Sequence, residues 1–411
     1  RDVLGSRGLG DVYKRQVKQL FIPGMLFENM GLTYLGPVDG HNMRQMMKLF
    51  NEAKRVEGPV VVHVLTKKGR GYEPASAHPD RFHGTGPFDI KTGRVLQKKT
   101  VPGYTDVFSK ALVSLGEKNK KLTAITAAMP DGTGLVEFSR RFPDRFFDVG
   151  IAEEHAVSFA AGLALGGLVP VVAIYSSFLQ RAVDQILHDV CMQKLHVIFA
   201  VDRAGLVGAD GETHQGCFDL SYLSMMPNMT VLAPKNDREL EEMLAFAVSF
   251  DGPIAIRYPR GSAHQGLREY QAPVEYGRSE IIRKGKKIAV LGVGSMIPSC
   301  MEICKGLKDD GYDPTFVNAR FVKPLDVDLL DELAKDHSLF VTVEENVKSG
   351  GYGEHVSAYM EACHPEIRVL SAAVWDRFVP QGNVESLRSR IGLGVEDIRQ
   401  AIEDSEELRE Q

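Results

Sequence analysis

The sequence predicts an α/β protein with a partial first domain followed by two doubly wound parallel-sheet domains. Short β-branched strands alternate with helical segments through residues 103–260 and again through residues 281–402. This alternation is typical of parallel sheets with helices packed on both faces. Residues 17–69 hold one clear strand and one clear helix, which are too few to enclose a core. We therefore expect the first domain to be incomplete.

The first domain is predicted to contain a helix at Met43–Val56 and a buried strand at Val60–Leu65. Gly36-Pro37 and Asp39-Gly40 are turn signals, so we expect loops before the helix. Residues 70–100 are rich in Gly, Pro and His and lack a hydrophobic period. Such a stretch indicates a long linker or an active-site loop.

The middle domain shows the alternation of strands and helices most clearly. Its predicted helices include Glu154–Leu165 and Leu179–Gln193. Its six predicted strands are Leu122–Thr126, Arg145–Val149, Val169–Ile174, His196–Val201, Thr230–Leu232 and Ile254–Arg257. The third domain repeats the pattern, with strands predicted at Lys287–Leu291, Pro314–Asn318, Leu339–Glu344 and Ile367–Leu370.

Three composition breaks, at residues 70–100, at residues 261–280 and after about Glu403, divide the chain. The predicted segments are 17–100, the partial first domain with its long loop; 101–265, the middle domain; 275–403, the third domain; and 404–411, an acidic tail. The chain has no initiator Met, so we expect the natural protein to begin upstream of Arg1.

The overall composition is that of an ordinary globular protein. Of the 411 residues, 44% are hydrophobic and 25% are charged, with a formal net charge of −5. No basic stripe predicts binding to nucleic acid, and no long apolar run predicts a membrane span. The five scattered cysteines lack CxxC spacing, which argues against a zinc site or a disulfide framework and fits a reducing compartment.

Polar residues gather after the predicted strands of the middle domain. In open parallel sheets ligands bind beyond the carboxyl ends of the strands, so these residues are expected to share one rim. They are Glu153 after Arg145–Val149, Tyr175 and Phe178 after Val169–Ile174, Arg203 after His196–Val201, Arg260 after Ile254–Ile256, and Asp210 and His214 in the glycine-rich turn Gly205–Gly216. Together they predict a site for an anionic ligand, and phosphate suits the paired arginines.

Each of these residues also has an ordinary structural explanation. A carboxylate such as Glu153 is favoured at any helix N-terminus. Arg203 and Arg260 fit exposed ion pairs equally well, and Asp210 before a glycine is a turn signal in its own right. The convergence on one rim favours a functional site without identifying the reaction.

Long motifs in the chain resemble the 1-deoxy-D-xylulose-5-phosphate synthases, a thiamine diphosphate family of the transketolase superfamily. The resemblance runs from Val17 to the C-terminus and implies a thiamine diphosphate-binding fold followed by a transketolase C-terminal-like domain. The matching runs are LGPVDGHN (Leu35–Asn42), HVLTKKGRGYEPA (His63–Ala75), DVGIAEEHAVSFAAG (Asp148–Gly162), YSSFLQRAVDQ (Tyr175–Gln185), DRAGLVGADGETHQG (Asp202–Gly216), RYPRG (Arg257–Gly261) and NARFVKPLD (Asn318–Asp326).

The resemblance implies a transketolase-type transferase. Such an enzyme decarboxylates pyruvate and transfers the remaining two-carbon unit to D-glyceraldehyde 3-phosphate, with thiamine diphosphate and Mg²⁺ as cofactors. This reaction opens the methylerythritol phosphate route to isoprenoids and supplies precursors of thiamine and pyridoxal. A homodimer in the cytoplasm is expected, with neither nucleic acid nor membrane as a partner.

For the cofactor, the resemblance implies roles for five residues. Glu153 is the carboxylate that activates the cofactor by contacting its pyrimidine ring. Phe178 stacks on that ring, and Ile151 and Met129 are further contacts. His83, in the long loop of the first domain, is expected to reach the thiazolium end of the cofactor as a catalytic group, and a mobile loop there is expected to close over the site.

For the substrate, the resemblance implies a second group of residues. Tyr175, Arg181, Arg203 and Arg260 are expected to hold the phosphate and the acceptor sugar. Asp210 and His214 are expected to contact the substrate near the reacting carbon, and His214 is a candidate proton shuttle.

The chain departs from the family at its N-terminal end. Two early histidines and a Gly-Asp-Gly…Asn motif, which hold Mg²⁺ and the diphosphate in the family, are absent, so no metal ligand is predicted in this chain. The GPVDGH run at Gly36–His41 matches a later family motif. Because the resemblance begins abruptly at Val17, we interpret residues 1–16 as foreign or artefactual and expect an N-terminally truncated member of the family.

Two alternative interpretations follow from this departure. In the first, the chain is an inactive folded fragment that lacks the metal and diphosphate motif. In the second, it belongs to another enzyme of the superfamily, such as a transketolase or a 2-oxoacid dehydrogenase subunit. The runs at Asp202–Gly216 and Tyr175–Gln185 favour the synthase over the other enzymes.

Overall fold

A computed structural model describes residues 25–79, 81–96 and 101–405, in two compact units that divide between Lys99 and Thr100. Each unit is described below by itself. The predicted segment 1–16 lies outside the described residues, as do residues 406–411 of the predicted tail. No helix in the described ranges has both the length and the apolar character that crossing a membrane requires.

The first unit contains a two-stranded parallel sheet, β1 (Thr33–Asp39) and β2 (Val60–Leu65). The helix α2 (Met43–Ala53) connects the strands; α1 (Met25–Asn29) precedes them and α3 (Glu73–Ala77) follows them. Within the described part of this unit, Ala75 is the one hydrophobic residue that is buried. Two strands leave most side chains partly exposed, which agrees with the prediction of a partial domain.

The first unit corrects the prediction of loops before the helix. Strand β1 includes Gly36-Pro37, and Asp39 is its last residue. The pairing with β2 breaks in register between Leu35 and Val38 and then resumes. Proline has no N–H to donate to the ladder, so the irregularity falls where the turn signal lies while the strand continues past it. Helix α2 ends at Ala53, three residues before the predicted Val56.

The second unit begins with a seven-stranded sheet. Its strands are β3 (Leu122–Thr126), β4 (Phe146–Asp148), β5 (Val169–Tyr175), β6 (Ile198–Asp202), β7 (Thr230–Leu232), β8 (Ile254–Tyr258) and β12 (Phe321–Lys323). They lie in the order β12-β7-β8-β6-β5-β3-β4, and all neighbours pair in parallel except β12 and β7, which are antiparallel. The six predicted strands are therefore confirmed to within two residues at each end, and β12 was not predicted.

Helices cover both faces of this sheet. They are α4 (Tyr104–Lys118), α5 (Val136–Arg141), α6 (Glu153–Leu165), α9 (Asp219–Ser224) and α10 (Asp237–Ser249). Helix α10 begins at a side-chain cap, because Asn236 Oδ1 accepts a hydrogen bond from Glu239 N at 2.9 Å. Helix α6 begins at Glu153, one residue before its predicted start.

The predicted helix Leu179–Gln193 is wrong as a continuous α-helix. The chain winds instead through α7 (Ser176–Leu179), a 3₁₀ turn, α8 (Val183–Gln185) and a π-helical turn at Ile186–Cys191. Leu179, Ala182, Ile186 and Val190 are among its buried residues. They are spaced by three residues over the tight turn and by four over the wide turn. The changing winding keeps them on the core side.

The rest of the second unit is a five-stranded sheet in the order β14-β13-β10-β11-β9. Its strands are β9 (Glu280–Arg283), β10 (Lys287–Gly292), β11 (Thr315–Asn318), β13 (His337–Val347) and β14 (Arg368–Val374). The helices of this region are α11 (Ile297–Asp309), α12 (Val327–Ala334), α13 (Tyr352–Cys363), α14 (Val384–Arg390) and α15 (Val395–Glu403). Four strands are parallel as predicted, and the unpredicted β9 is an antiparallel edge strand.

A buried ion cluster of Lys235, Glu239, Glu280 and Arg320 joins the two sheets of the second unit. Lys235 Nζ lies 2.9 Å from Glu239 Oε1 and 2.8 Å from Glu280 Oε2. Arg320 Nε lies 2.6 Å from Glu239 Oε1, and its Nη2 lies 3.2 Å from Glu280 Oε1. Every side chain in the cluster is at most 4% exposed. Two cations therefore balance two carboxylates, as charges removed from water require.

Candidate active site

The carboxyl ends of three neighbouring strands align their last side chains in a row. Tyr175 of β5 is the register partner of Asp202 of β6, and Asp202 is the partner of Tyr258 of β8. Partners in adjacent parallel strands project from the same face of the sheet. The predicted rim is thus formed by the sheet itself, and the side chains that follow these strands extend it.

Glu153 lies at the start of α6, immediately after the turn that leaves β4. Asp148 Oδ1 fixes this turn by accepting hydrogen bonds from Ala128 N at 2.7 Å and Gly150 N at 3.0 Å. Gly150 has a φ of 74°, which a residue without a side chain adopts readily. The Glu153 side chain is 3% exposed, and its Oε1 accepts a hydrogen bond from Arg181 Nη1 at 2.7 Å. The helix N-terminus adds a second favourable interaction for its charge.

Phe178 lies at the centre of the predicted cofactor and substrate residues. Its ring stacks on Tyr175, with 5.7 Å between the ring centroids and 28° between the planes. The His214 ring meets it edge-on at 5.3 Å and 68°. The guanidinium carbon of Arg181 lies 5.2 Å from the Phe178 centroid. Phe178 is only half-buried, so part of its ring is accessible to a ligand.

The two predicted phosphate arginines lie near the Tyr175 hydroxyl. The guanidinium carbon of Arg203 is 3.7 Å from the Tyr175 ring centroid, a cation–π contact. Arg260 Nη1 pairs with Asp210 Oδ2 at 2.6 Å, and both side chains are about one-third to two-fifths exposed. Burial raises the pKa of Tyr175, and the charges of Arg203 and Arg260 oppose this shift. Both arginines therefore act on the same hydroxyl.

The glycine-rich turn is anchored at its base and exposed at its tip. Gly205 and Gly216 form an antiparallel bridge, and the Gln215 side chain links the turn internally and outward. Gln215 Oε1 accepts from Val207 N at 2.8 Å, and its Nε2 donates to the Pro380 carbonyl at 3.1 Å. The tip carries Asp210 and the 3₁₀ turn Glu212–His214. Such an arrangement presents both predicted substrate residues without burying them.

Asp202 was not predicted as a site residue. Its carboxylate is fully buried at the end of β6, and Thr105 Oγ1 donates a hydrogen bond to its Oδ2 at 2.9 Å. Burial raises the pKa of Asp202 to about 7, while Thr105 and the Arg203 charge oppose the shift. The signal in the sequence was its position, because it ends a buried strand directly before Arg203.

The remaining predicted residues have separate positions. Ile151 is 80% exposed in the turn before Glu153, and Met129 packs partly buried against the core. His83 belongs to the first unit, where its Nδ1 lies 3.0 Å from Lys68 Nζ. The role of His83 at the cofactor stays a prediction.

The site offers the chemical groups that a flat, hydrogen-bonding heteroaromatic ring requires. Glu153 presents a buried carboxylate that can accept hydrogen bonds, Phe178 a half-exposed aromatic face, and Ile151 an exposed apolar side chain. These groups fit the pyrimidine half of the predicted cofactor. Within residues 25–79, 81–96 and 101–405, no group of three or more His, Cys, Asp or Glu side chains is placed to hold a metal ion.

Three family sequence models match the chain. Residues 7–66 match the model described as 1-deoxy-D-xylulose-5-phosphate synthase. Residues 101–265 match the pyrimidine-binding domain of transketolase, and residues 277–398 match the transketolase C-terminal domain. The first match begins at residue 7 and so includes part of the segment that we interpret as foreign, an interpretation that stays a prediction.

Curated proteins similar to this chain carry the name of the first of these family models. The 1-deoxy-D-xylulose-5-phosphate synthase of Lachnoclostridium phytofermentans is 54% identical over 386 residues, which cover 94% of this chain and 62% of that protein. The enzyme of Clostridium tetani is 49% identical over 389 residues, with 95% and 63% covered. The chain thus spans about three-fifths of the length of the curated relatives that it matches.

Solved structures agree with the sequence matches. A chain described as a split-gene transketolase, an inactive β4 tetramer, is 30% identical with a TM-score of 0.66, covering 75% of this chain and 98% of that one. The transketolase of Campylobacter jejuni shares the fold with a TM-score of 0.63 at 16% identity, covering 94% of this chain and 70% of that one. The chain therefore belongs to the 1-deoxy-D-xylulose-5-phosphate synthase family of the transketolase superfamily.

Proposed function

We propose that the protein containing this chain is a thiamine diphosphate-dependent transferase. It decarboxylates pyruvate and transfers the two-carbon unit to D-glyceraldehyde 3-phosphate, which gives 1-deoxy-D-xylulose 5-phosphate. The observation that supports this proposal most directly is the Glu153 carboxylate, 3% exposed at a helix start, with the half-exposed Phe178 ring nearby. Membership of the family agrees with this chemistry.

When bound, thiamine diphosphate supplies the electron sink that the decarboxylation and the new carbon–carbon bond require. The residues of this chain hold its pyrimidine half. The Glu153 carboxylate would hold a ring nitrogen of the pyrimidine through a shared proton, which is the contact that the activation of the cofactor requires. Phe178 stacks on the ring, and Ile151 and Met129 contribute apolar contacts. Because Glu153 is buried, water competes little for its hydrogen bond.

The acceptor is held by the arginines at the ends of β6 and β8. Arg203 and Arg260 provide two guanidinium groups near the Tyr175 hydroxyl, and guanidinium groups bind phosphate through paired hydrogen bonds. Asp210 pairs with Arg260 in this structure, so a bound phosphate takes over that arginine. Asp210 then becomes available to accept a hydroxyl of the sugar, and His214 is placed to move a proton at the reacting carbon.

We further propose that Mg²⁺ and the diphosphate are held by the family's Gly-Asp-Gly…Asn motif, which this chain lacks, that the protein acts in the cytoplasm, and that it is a homodimer. Exposed apolar side chains of the second unit support the dimer. Leu165 is 66% exposed, Met192 63% and Met225 61%. Near Met192 lies a cavity of about 330 Å³ lined by Leu187, His188, Cys191, Met192, Pro227 and Asn228. Apolar surface of this kind commonly marks a protein interface.

The test compares the chain alone with a longer version. Because a similar split-gene transketolase chain is described as inactive, the longer version supplies the N-terminal part of the Lachnoclostridium phytofermentans relative. Both proteins receive thiamine diphosphate, Mg²⁺, pyruvate and D-glyceraldehyde 3-phosphate, and the product is followed by NMR. We expect 1-deoxy-D-xylulose 5-phosphate from the longer version. A folded longer version that binds cofactor but makes no such product would contradict the proposal.

A further inference from the structure

Arg181 lies in a different environment from the other two arginines of the site. Its Nη1 donates to Glu153 Oε1 at 2.7 Å, and its guanidinium carbon lies 5.2 Å from the centre of the Phe178 ring. Arg203 instead lies over Tyr175, and Arg260 pairs with Asp210. The two stacked rings are thus each covered by one arginine, and only the arginine over Phe178 contacts the buried carboxylate.

The contact satisfies a requirement of the buried carboxylate. The Glu153 side chain is 3% exposed, so its charge is largely removed from water and needs a partner. Arg181 is 50% exposed, so its guanidinium reaches the carboxylate from the solvent side while retaining much of its hydration. A guanidinium stays protonated at every physiological pH. Arg181 therefore supplies a counter-charge for the buried carboxylate and limits its rotamers.

The same contact leaves Arg181 poorly placed to bind the acceptor. One nitrogen of its guanidinium, Nη1, is engaged by Glu153, and the guanidinium carbon lies over the Phe178 ring. A phosphate on Arg181 would draw the guanidinium away from a carboxylate that would then lack its cation. Arg203 and Arg260 are free of this constraint, because neither contacts a fully buried carboxylate through its guanidinium in the described structure.

We propose that Arg181 is a positioning residue for Glu153: it supplies the counter-charge of the activating carboxylate and keeps it directed toward a flat aminopyrimidine on Phe178, rather than binding the acceptor phosphate. The inference rests on the proposed function, because it takes an aminopyrimidine as the ligand beside Phe178. It assigns Arg181 to cofactor activation, whereas the family resemblance suggested the acceptor. A third arrangement, in which Arg181 blocks the ring site and is expelled by the cofactor, makes the opposite prediction for cofactor affinity.

Three variants of the longer version test the assignment. Arg181→Met removes the charge, Arg181→Lys keeps a charge without the planar fork, and Arg141→Met is the matched control. Arg141 also donates to a carboxylate, Glu117, at 2.8 Å, but both side chains are about half exposed or more. Circular dichroism melting curves establish that each variant is folded. Thiamine diphosphate with Mg²⁺ is titrated by calorimetry, and deuterium exchange at the thiazolium carbon is followed by NMR.

We expect Arg181→Met to weaken cofactor binding by about tenfold and to slow exchange by at least as much, with the KM for D-glyceraldehyde 3-phosphate changed by less than about twofold. Arg181→Lys should recover part of the affinity, and Arg141→Met should match the wild type. In the background Glu153→Gln, removing Arg181 should have little further effect, because the carboxylate charge that Arg181 balances is already absent.

Three outcomes would overturn the assignment. A large rise in the acceptor KM with unchanged cofactor affinity would make Arg181 a phosphate ligand. Tighter cofactor binding in Arg181→Met would make it a blocking group. Equal losses from Arg181→Met in the wild-type and Glu153→Gln backgrounds would show that it acts independently of Glu153. Failure of the proposed function is distinguishable, because the wild-type protein itself would then not bind thiamine diphosphate.

Discussion

The guanidinium carbon of Arg203 lies 3.7 Å from the centre of the Tyr175 ring, which orients this arginine at the carboxyl edge of the sheet. Arg203 has a φ of 60°, an uncommon value for a residue with a side chain. Tyr175 is nearly buried and forms a fixed surface for the guanidinium. The cation–π contact and the backbone conformation of Arg203 together hold its guanidinium near the Tyr175 hydroxyl.

Arg203→Met should raise the KM for D-glyceraldehyde 3-phosphate by about 10- to 100-fold, because a charged hydrogen bond to phosphate is lost. The matched variant Tyr175→Phe keeps the ring under the guanidinium and should raise KM much less. Steady-state kinetics with the acceptor varied at saturating pyruvate measures both. Equal KM values for Arg203→Met and the wild type would remove Arg203 from the phosphate site.

Gly132 makes room for Tyr175, and replacing it should displace the ring. A Cβ at Gly132 would overlap the Tyr175 hydroxyl, whereas a Cβ at Gly162 meets no atom within 4 Å. Gly132→Ala should therefore weaken acceptor binding by about tenfold through Tyr175 and Arg203. Gly162→Ala, on the exposed side of α6, should leave acceptor binding unchanged and raise stability by up to about 1 kcal/mol. The KM for the acceptor and the thermal melting temperature measure the two effects. An acceptor KM in Gly132→Ala identical to that of the wild type would contradict the steric argument.

The buried ion cluster should dominate the stability of the second unit. Glu239→Gln leaves Lys235 and Arg320 with Glu280 as their one carboxylate in the cluster. Breaking such a group is expected to cost about 3–5 kcal/mol in the free energy of unfolding. Arg238→Met breaks an exposed pair with Glu242 on the same helix, at 2.8 Å, and should cost less than about 1 kcal/mol. Urea denaturation measures the free energy of unfolding of both variants. Similar losses in the two would show that burial does not determine how much an ion pair contributes to stability.

Asp202 should make the protein less stable as the pH rises. Burial raises its pKa to about 7 in the folded state, against about 3.9 in an unfolded chain. Between about pH 4 and pH 7 the folded carboxyl keeps a proton that the unfolded chain has released. The folded state then binds more protons, so the free energy of unfolding falls through this window and stays low above it.

Asp202→Asn removes this proton uptake. Between about pH 4.5 and 8, the free energy of unfolding of this variant should therefore fall by a few kcal/mol less than that of the wild type. Part of the pH dependence should remain, because burial also raises the pKa of Glu344 to about 7. Glu137→Gln, a 61% exposed carboxylate paired only distantly with Arg140, serves as the control. Urea midpoints measured across the pH range test this, and parallel curves for Asp202→Asn and the wild type would contradict it.

Most of the fold follows from local sequence patterns. Strands such as Leu122–Thr126 and Thr230–Leu232 have the predicted bounds, because a buried parallel strand is a short apolar run between loops. The short antiparallel strands β9 and β12 escaped prediction. Phe321–Lys323 is only three residues long and pairs with a strand about ninety positions earlier, so its partner is fixed by tertiary structure.

The site was predictable as a set of residues but not as a set of contacts. Strand ends placed Tyr175, Phe178 and Arg203 on one rim, and their rings and charges do meet there. The pair between Arg181 and Glu153 joins residues 28 positions apart. Arg181 lies in the 3₁₀ turn that follows Leu179, and the apolar pattern alone did not distinguish that turn from a continuous helix.

The role of Glu153 is tested most directly by deuterium exchange at the thiazolium carbon of the bound cofactor. The measurement compares the wild-type longer version with Glu153→Gln and with Glu154→Gln, the next residue of α6, which is exposed. Amide and carboxylate have nearly the same shape, but the amide is a far weaker base toward the ring nitrogen. Calorimetry in parallel establishes that all three proteins are saturated with cofactor. We predict that exchange slows by about 100-fold or more in Glu153→Gln and is unchanged in Glu154→Gln. Exchange at the wild-type rate in Glu153→Gln would contradict the account, because the buried carboxylate would then not be the group that activates the cofactor.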